Sequence, residues 1–282
     1  MTVSEAPRSP AADWTDPWYG AVLDRSTPLR WRPWLSRLSH LRRLRQAGFR
    51  FQFVPPAYVW ARRSDVQVKC RALQGFDFGH LFELFCRHTY GTRFDGQVVV
   101  DVGISNGDSS LYFAVSGAQR VIGLEPFPDS FRLAVENVKA NALEGVVHPI
   151  HAALAGSSGR ASLRVSSRHP NANALQPTDA RSEAGPDFDD AVEIPTVTLD
   201  DLVAQESLER IDFLKLDCEG AEYEILGGLS PAVAARIGRI RLEFHRGLQD
   251  LPAVLQRLGF RIVHVSSSGP YGLLEATRSA PV

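Results

Sequence analysis

The chain has 282 residues, 44% of them apolar, and a formal net charge of −1 at pH 7. That length allows one large domain with an appendage. The near-neutral balance argues against a bulk nucleic-acid binder, which is usually strongly basic. Cys70, Cys86 and Cys218 are widely spaced and contain no CxxC pair. They make neither a zinc pattern nor a disulfide framework, which suits a reducing cytoplasm. Residues 1–20 lack an apolar h-region, and no stretch approaches the roughly 18–20 apolar residues of a membrane span. The expectation is a soluble cytoplasmic protein with no nucleic-acid or membrane partner.

Residues 1–30 are rich in Pro, Ser and Asp without a period, which predicts a frayed arm. From Trp34 to Ala47, Trp34, Leu35, Leu38, Leu41 and Leu44 recur at helical spacing. FRFQFV (49–54) and VQVKC (66–70) alternate apolar and polar residues, which predicts a small β element around PPAY. FGHLFELFCRHTYG (78–91) reads as a helix ended by Gly91. The rhythm then changes to short apolar runs separated by helical segments. The runs are QVVVDVG (97–103), RVIGLEP (120–126), VVHPIHAAL (146–154), IDFLKLD (211–217) and IGRIRLEFH (237–245). Helices are expected over SSLYFAVSG, 129–142 and 248–258. Such alternation predicts an α/β, Rossmann-like, mostly parallel sheet covered on both faces, with RIVHVSS and YGLLEAT as an antiparallel C-terminal edge. The polar, turn-rich stretch 155–195 interrupts the pattern and reads as a long loop, a candidate lid with Asn171 or Asn173 near a ligand. The expected organisation is an arm (1–30), an N-terminal helical and β appendage (31–77) and a catalytic domain (78–282) carrying that insertion.

VVVDVGISNGDSS follows a predicted strand and opens a helix, and Glu125 closes the next strand 18 residues beyond Gly107. A carboxylate at that distance can accept from ribose hydroxyls. Nicotinamide or flavin binding would want G-x-G-x-x-G and amides free for a pyrophosphate. Here the middle glycine is replaced by Ser105, and the turn carries Asp101 and Asp108, poor neighbours for a diphosphate. They suit a cationic ligand without phosphate, which points to S-adenosylmethionine.

In LKLDCEGAEYEIL (214–226), Asp217, Glu219, Glu222 and Glu224 fall within eight residues. Ligands of open parallel sheets bind beyond the carboxyl ends of the strands, so Asp217 should face the same crevice as the glycine turn. Lys215, within an apolar strand, needs a carboxylate partner. Glu222 and Glu224 suit a helix start. Glu243 and His245, at the end of the next strand, converge on the crevice. A base-modifying nucleic-acid methyltransferase would carry an (Asp/Asn)-Pro-Pro-aromatic turn where this chain has Asp-Cys-Glu-Gly.

Together DVGISNGDSSLYF, VIGLEPFPDSF with AVENVKAN, VTLDDL, IDFLKLDCEGAEYEILGG and LEFH resemble the FkbM-type family of S-adenosylmethionine-dependent methyltransferases, over roughly residues 78–265. The resemblance implies the class I methyltransferase fold and O-methylation of a hydroxyl on a sugar, macrolide or other specialised metabolite. By residue match it implies that Asp101, Gly103 and Glu125 hold the cofactor, with Ser105, Asn106, Gly107, Ser109, Pro126, Phe127, Ala153 and Asp217 completing the set. It also places Asp217, Glu219 and His245 around the reacting centre. The expected mechanism has His245 as general base, assisted by Asp217. The alternative is a divalent metal held by Asp217, Glu219, Glu243 and His245. An expectation of another class comes from ten arginines and no acid between Asp24 and Asp65, interleaved with Trp31, Trp34 and Trp60. The segment 25–63 could dock RNA or a membrane surface, or its helix could simply pack its apolar stripe on the main domain.

Overall fold

A computed structural model of the chain describes residues 31–72, 76–166, 173–175, 188 and 190–279. The expected arm (1–30), Asn171 and the side chains of Trp31, Trp34 and Leu35 lie outside the described set. Helix α1 (Trp31–Gln46) brings Leu44 into the core, and His40 stacks on Phe82 with ring centroids 4.7 Å apart. Phe82 belongs to α2 (Asp77–Phe85), which is shorter than 78–91. Between the two helices β1 (Arg50–Val54), β2 (Tyr58–Arg63) and β3 (Val66–Arg71) form an antiparallel meander. Strand β2 was not expected. Its buried Val59 and Ala61 alternate with the apolar outward residues Tyr58 and Trp60, which hides the period of two.

The central sheet follows the predicted rhythm. Parallel strands β4 (Val98–Val102), β5 (Arg120–Leu124), β6 (Val147–Ile150), β11 (Ile211–Leu216) and β12 (Ile237–Phe244) carry an antiparallel edge of β14 (Tyr271–Arg278) and β13 (Phe260–Ser268). The order is β13-β14-β12-β11-β4-β5-β6. Alternate residues divide the core between the faces. Val99, Val121 and Phe213 pack toward the N-terminal meander and α3 (Asp108–Val115). Val100, Ile122 and Leu214 pack toward α5 (Leu199–Gln205), α6 (Glu222–Gly228) and α8 (Leu251–Arg257). Helices α4 (Pro128–Ala140) and α7 (Pro231–Ala234) complete the layers.

Two expectations change. VVHPIHAAL is not one strand: Ala152 N donates to Ile150 O, and His151 leaves the sheet to stack on Phe131. Ala153–Leu154 then starts β7 of a second sheet. That sheet, order β7-β10-β8-β9, occupies much of the stretch expected to be loop, with β8 (Gly159–Val165), β9 (Ala174–Leu175) and β10 (Asp190–Val197). Only Leu163, Val165, Ile194 and Val197 of β8 and β10 are buried, so polar residues outnumber the inward ones and mask the strand signal.

Of the arginine-rich segment, Arg43 lies over the Phe82 ring, Arg63 over Phe49 and Phe85, and Arg62 bonds Gln52 and Gln67. These contacts agree with a helix and meander packed on the main domain. Among the described residues no helix is long and apolar enough to cross a membrane.

Candidate active site

The glycine turn leaves β4 at its carboxyl end. Gly103 has φ +78°, and a Cβ there would stand 1.8 Å from the Asp217 carbonyl oxygen, so only glycine lets the first and fourth parallel strands approach. Lys215 anchors the turn from the neighbouring strand. Its Nζ donates to the carbonyls of Val102 (3.1 Å) and Gly103 (2.9 Å) and stands 3.1 Å from Asp101 Oδ1, but 3.8 Å from Asp217 Oδ2. The partner that Lys215 needs is therefore chiefly Asp101, its register neighbour across the sheet. Burial alone would lower the ammonium pKa, but the charges of Asp101, Tyr90 and Asp217 outweigh it and raise it. Asp101 is fully buried and also accepts from the Ser109 and Ser110 hydroxyls at 2.7 and 2.8 Å. It holds the turn together from within. Glu125 faces the turn from β5's end, accepting from Ser105 N (2.7 Å) and Phe127 N (2.9 Å). Burial, against those two amides, pushes its carboxyl up to about 7.

At the next strand end, Glu222 is the first residue of α6, as expected of a helix-start acid, and it also has partners outside the helix. It is 0% exposed, and its Oε1 accepts from Cys218 N, Gly220 N and, at 3.1 Å, the His245 imidazole. The second His245 nitrogen lies 3.5 Å from Glu219 Oε2. Burial opposes the imidazolium, yet the Glu222 hydrogen bond and the charges of Glu222, Glu219 and Asp217 prevail and lift its pKa to about 9. Glu219, at φ +52°, is pushed up to about 7 by burial, against the pull of His245.

These strand ends border a cavity of about 420 Å³. Of the expected cofactor residues, Gly103, Ser105, Ser109, Glu125, Pro126, Ala153 and Asp217 line it, whereas Asp101, Asn106, Gly107 and Phe127 stand behind. Asn106 is fully buried and donates to Lys69 O, tying the turn to β3. Gly107 precedes α3 at φ +85°. Phe127 packs with Ala153 and Leu163. Asp217, Glu219 and Glu243 reach the wall; His245 does not. Among the described residues no group of three or more His, Cys, Asp or Glu side chains is arranged to hold a metal ion. The insertion contributes Leu163, Asn173 and Leu175, and the N-terminal part contributes His40, Phe76, Gly79, His80, Glu83 and Leu84. Sequence reasoning missed this second group. The apolar face of α2 was legible, but nothing local says that its His80 and Glu83 turn toward the glycine turn.

A family model described as the methyltransferase FkbM domain matches residues 101–262, more than half of the chain. The chain belongs to the FkbM methyltransferase family. It is similar to the hexuronic acid methyltransferase AglP of Haloferax volcanii, 28% identical over 154 residues, which are 55% of this chain and 58% of AglP. It is also similar to the 31-O-demethyl-FK506 methyltransferase FkbM of Streptomyces tacrolimicus, 26% identical over 205 residues, 64% of this chain and 78% of that protein. Among solved structures, the methyltransferase FkbM from Methylobacillus flagellatus is 16% identical with a TM-score of 0.47, covering 71% of this chain and 50% of the other. The fold is an α/β fold with a mostly parallel central sheet and an antiparallel edge. In this FkbM-family chain, the matched span begins at Asp101 and includes every strand end of the site from β4 to β12.

Proposed function

We propose that this protein transfers a methyl group from S-adenosylmethionine to a hydroxyl oxygen of a small molecule such as a sugar or specialised metabolite. The observation that carries the reading is one cavity wall shared by Gly103, Ser105 and Glu125 on one side and Asp217, Glu219 and Glu243 on the other. The residues suit this cofactor. The turn offers close backbone approach at Gly103, and the cavity is lined by six carboxylates against one lysine, Lys215, whose charge is already paired with Asp101, which favours a cationic ligand over a diphosphate. Bound there, the sulfonium would supply an already activated methyl group.

What remains for the protein is alignment of the acceptor oxygen and removal of its proton. His245 is expected to hold its proton at neutral pH and stands behind the wall, so it serves better as a positioning cation than as the base. Glu219 lines the cavity, faces His245 at 3.5 Å and titrates near neutrality, which suits it to accept the proton from the acceptor hydroxyl. Asp217 would orient that hydroxyl. A divalent ion on Asp217, Glu219, Glu243 and His245 fits less well, because both His245 nitrogens already face carboxylates.

The test is incubation with methyl-labelled S-adenosylmethionine and a panel of hydroxylated sugars and macrolides, with and without chelator. Label should appear on oxygen in a Glu219-dependent way that survives chelation. Failure of the wild type to bind S-adenosylhomocysteine in calorimetry would sink the reading.

A further inference from the structure

Asp108 opens α3 directly after Gly107, is 3% exposed, and lines the cavity. Its Oδ1 accepts from Ser109 N at 2.7 Å. Its Oδ2 is buried and has no hydrogen-bond partner among the described residues. The nearest cationic candidate, His80 Nδ1, stands 3.9 Å away, beyond hydrogen-bond reach. Burial, aided by the charge of Asp77 and opposed by His80, pushes the Asp108 carboxyl up to about 6. A buried carboxylate oxygen without a donor is costly, and a charged N–H donor entering the cavity would relieve that cost.

The other acids of the wall are partnered or less deeply buried. Glu125 accepts two backbone amides and Glu219 faces His245, while Asp217 and Glu243 are only half-buried, so water can reach them as it cannot reach Asp108. We propose that Asp108 Oδ2 is the subsite for a primary ammonium, the α-ammonium of the cofactor. The proposal rests on the cofactor reading above and adds to it a residue that fixes the amino-acid end. An amine on the acceptor offers the same chemistry. The cofactor is favoured because Gly103, Ser105 and Ser109 of the same turn line the same cavity beside Asp108.

The test is a two-by-two titration by calorimetry. S-adenosylhomocysteine and its deaminated analogue, in which hydrogen replaces the α-ammonium, are each added to the wild type and to Asp108→Asn. The wild type should prefer the natural ligand by about tenfold or more, the scale of one charge-assisted hydrogen bond. Asp108→Asn should remove most of that preference and leave the analogue within about twofold. A parallel loss for both ligands would overturn the proposal by making Asp108 a packing residue of the turn, and unchanged binding of S-adenosylhomocysteine would overturn it as well. In a third arm, 2-aminoethanol is titrated into the S-adenosylhomocysteine-saturated proteins. A loss confined to that arm would assign the subsite to the acceptor, against the proposal. Unlike those outcomes, no binding of either adenosyl ligand to the wild type would reject the cofactor reading itself. A thermal melt of Asp108→Asn at or above the wild-type midpoint confirms that the variant is folded.

Discussion

Lys215 shows how much a single buried side chain organises here. It neutralises Asp101 and donates to two strand-end carbonyls, those of Val102 and Gly103. Removing one partner of a buried pair costs about 3–5 kcal/mol, because the other charge is left uncompensated. Lys215→Met should therefore lose about that much stability in urea unfolding, and adding Asp101→Asn should restore part of it. Normal stability in Lys215→Met would mean that water reaches Asp101. His245 gives a second expectation. Its pKa of about 9 depends first on the Glu222 hydrogen bond among the raising influences. In Glu222→Gln the imidazole should titrate well below 9 by NMR, since burial then acts with less opposition. The same shift makes a stability statement. A histidine raised from 6.5 to about 9 adds stability that is complete below pH 6.5 and is lost as pH climbs through 9. Glu125 and Glu219, raised from 4.5 to about 7, likewise favour the folded state below 4.5 and lose that contribution as pH rises to 7. Thermal midpoints of the ligand-free protein should accordingly fall from pH 5 toward 9. A flat profile would mean that these groups titrate alike folded and unfolded.

At the scale of elements, what the sequence disclosed and what it hid divide by range. The parallel strands were legible because each is a short apolar run that ends in a turn signal, and Gly103, Glu125 and Asp217 could be placed at strand ends on that basis alone. Glu222 was not, since its burial depends on His245, 23 residues on, and on the amides of Cys218 and Gly220. Strands β8 and β10 stayed hidden for a related reason: their longest pairing is with each other, across a polar stretch. The contact between β3 and α4 was equally invisible. Asn137 Oδ1 accepts from Lys69 N, while its Nδ2 donates to the carbonyls of Lys69 and Asn106. Asn141 repeats the device one turn on, bonding both backbone groups of Gln67. Asn137→Ala strands several buried polar groups at once. It should destabilise the protein by about 2–4 kcal/mol, with hydrogen exchange accelerated first in β3. Exchange accelerated uniformly instead would mean that the meander and the sheet unfold as one unit.

Across the whole molecule, Asn137 connects the N-terminal meander to the glycine turn through Asn106. Arg71, at the end of β3, completes the connection: it forms an ion pair with Asp77 at the start of α2 and donates to Ser105 Oγ (2.6 Å) and Ser130 Oγ (3.0 Å). Ser105 N in turn donates to Glu125, so meander, turn and β5 share one buried polar chain. A ligand seated on the turn therefore stabilises more than the turn. Binding to the folded state alone adds RT ln(1 + [L]/Kd), about 2.7 kcal/mol at a hundredfold excess over Kd. For a domain of this size that is a rise of roughly 5–10 °C in the thermal midpoint. If the polar chain transmits the effect, S-adenosylhomocysteine should slow amide exchange in β3 and α2 as well as around Gly103. Arg71→Met should confine the protection to the turn while keeping most of the midpoint shift. Protection restricted to the turn in the wild type would instead make the meander a passive cover over one side of the cavity, and Arg71 a purely structural residue.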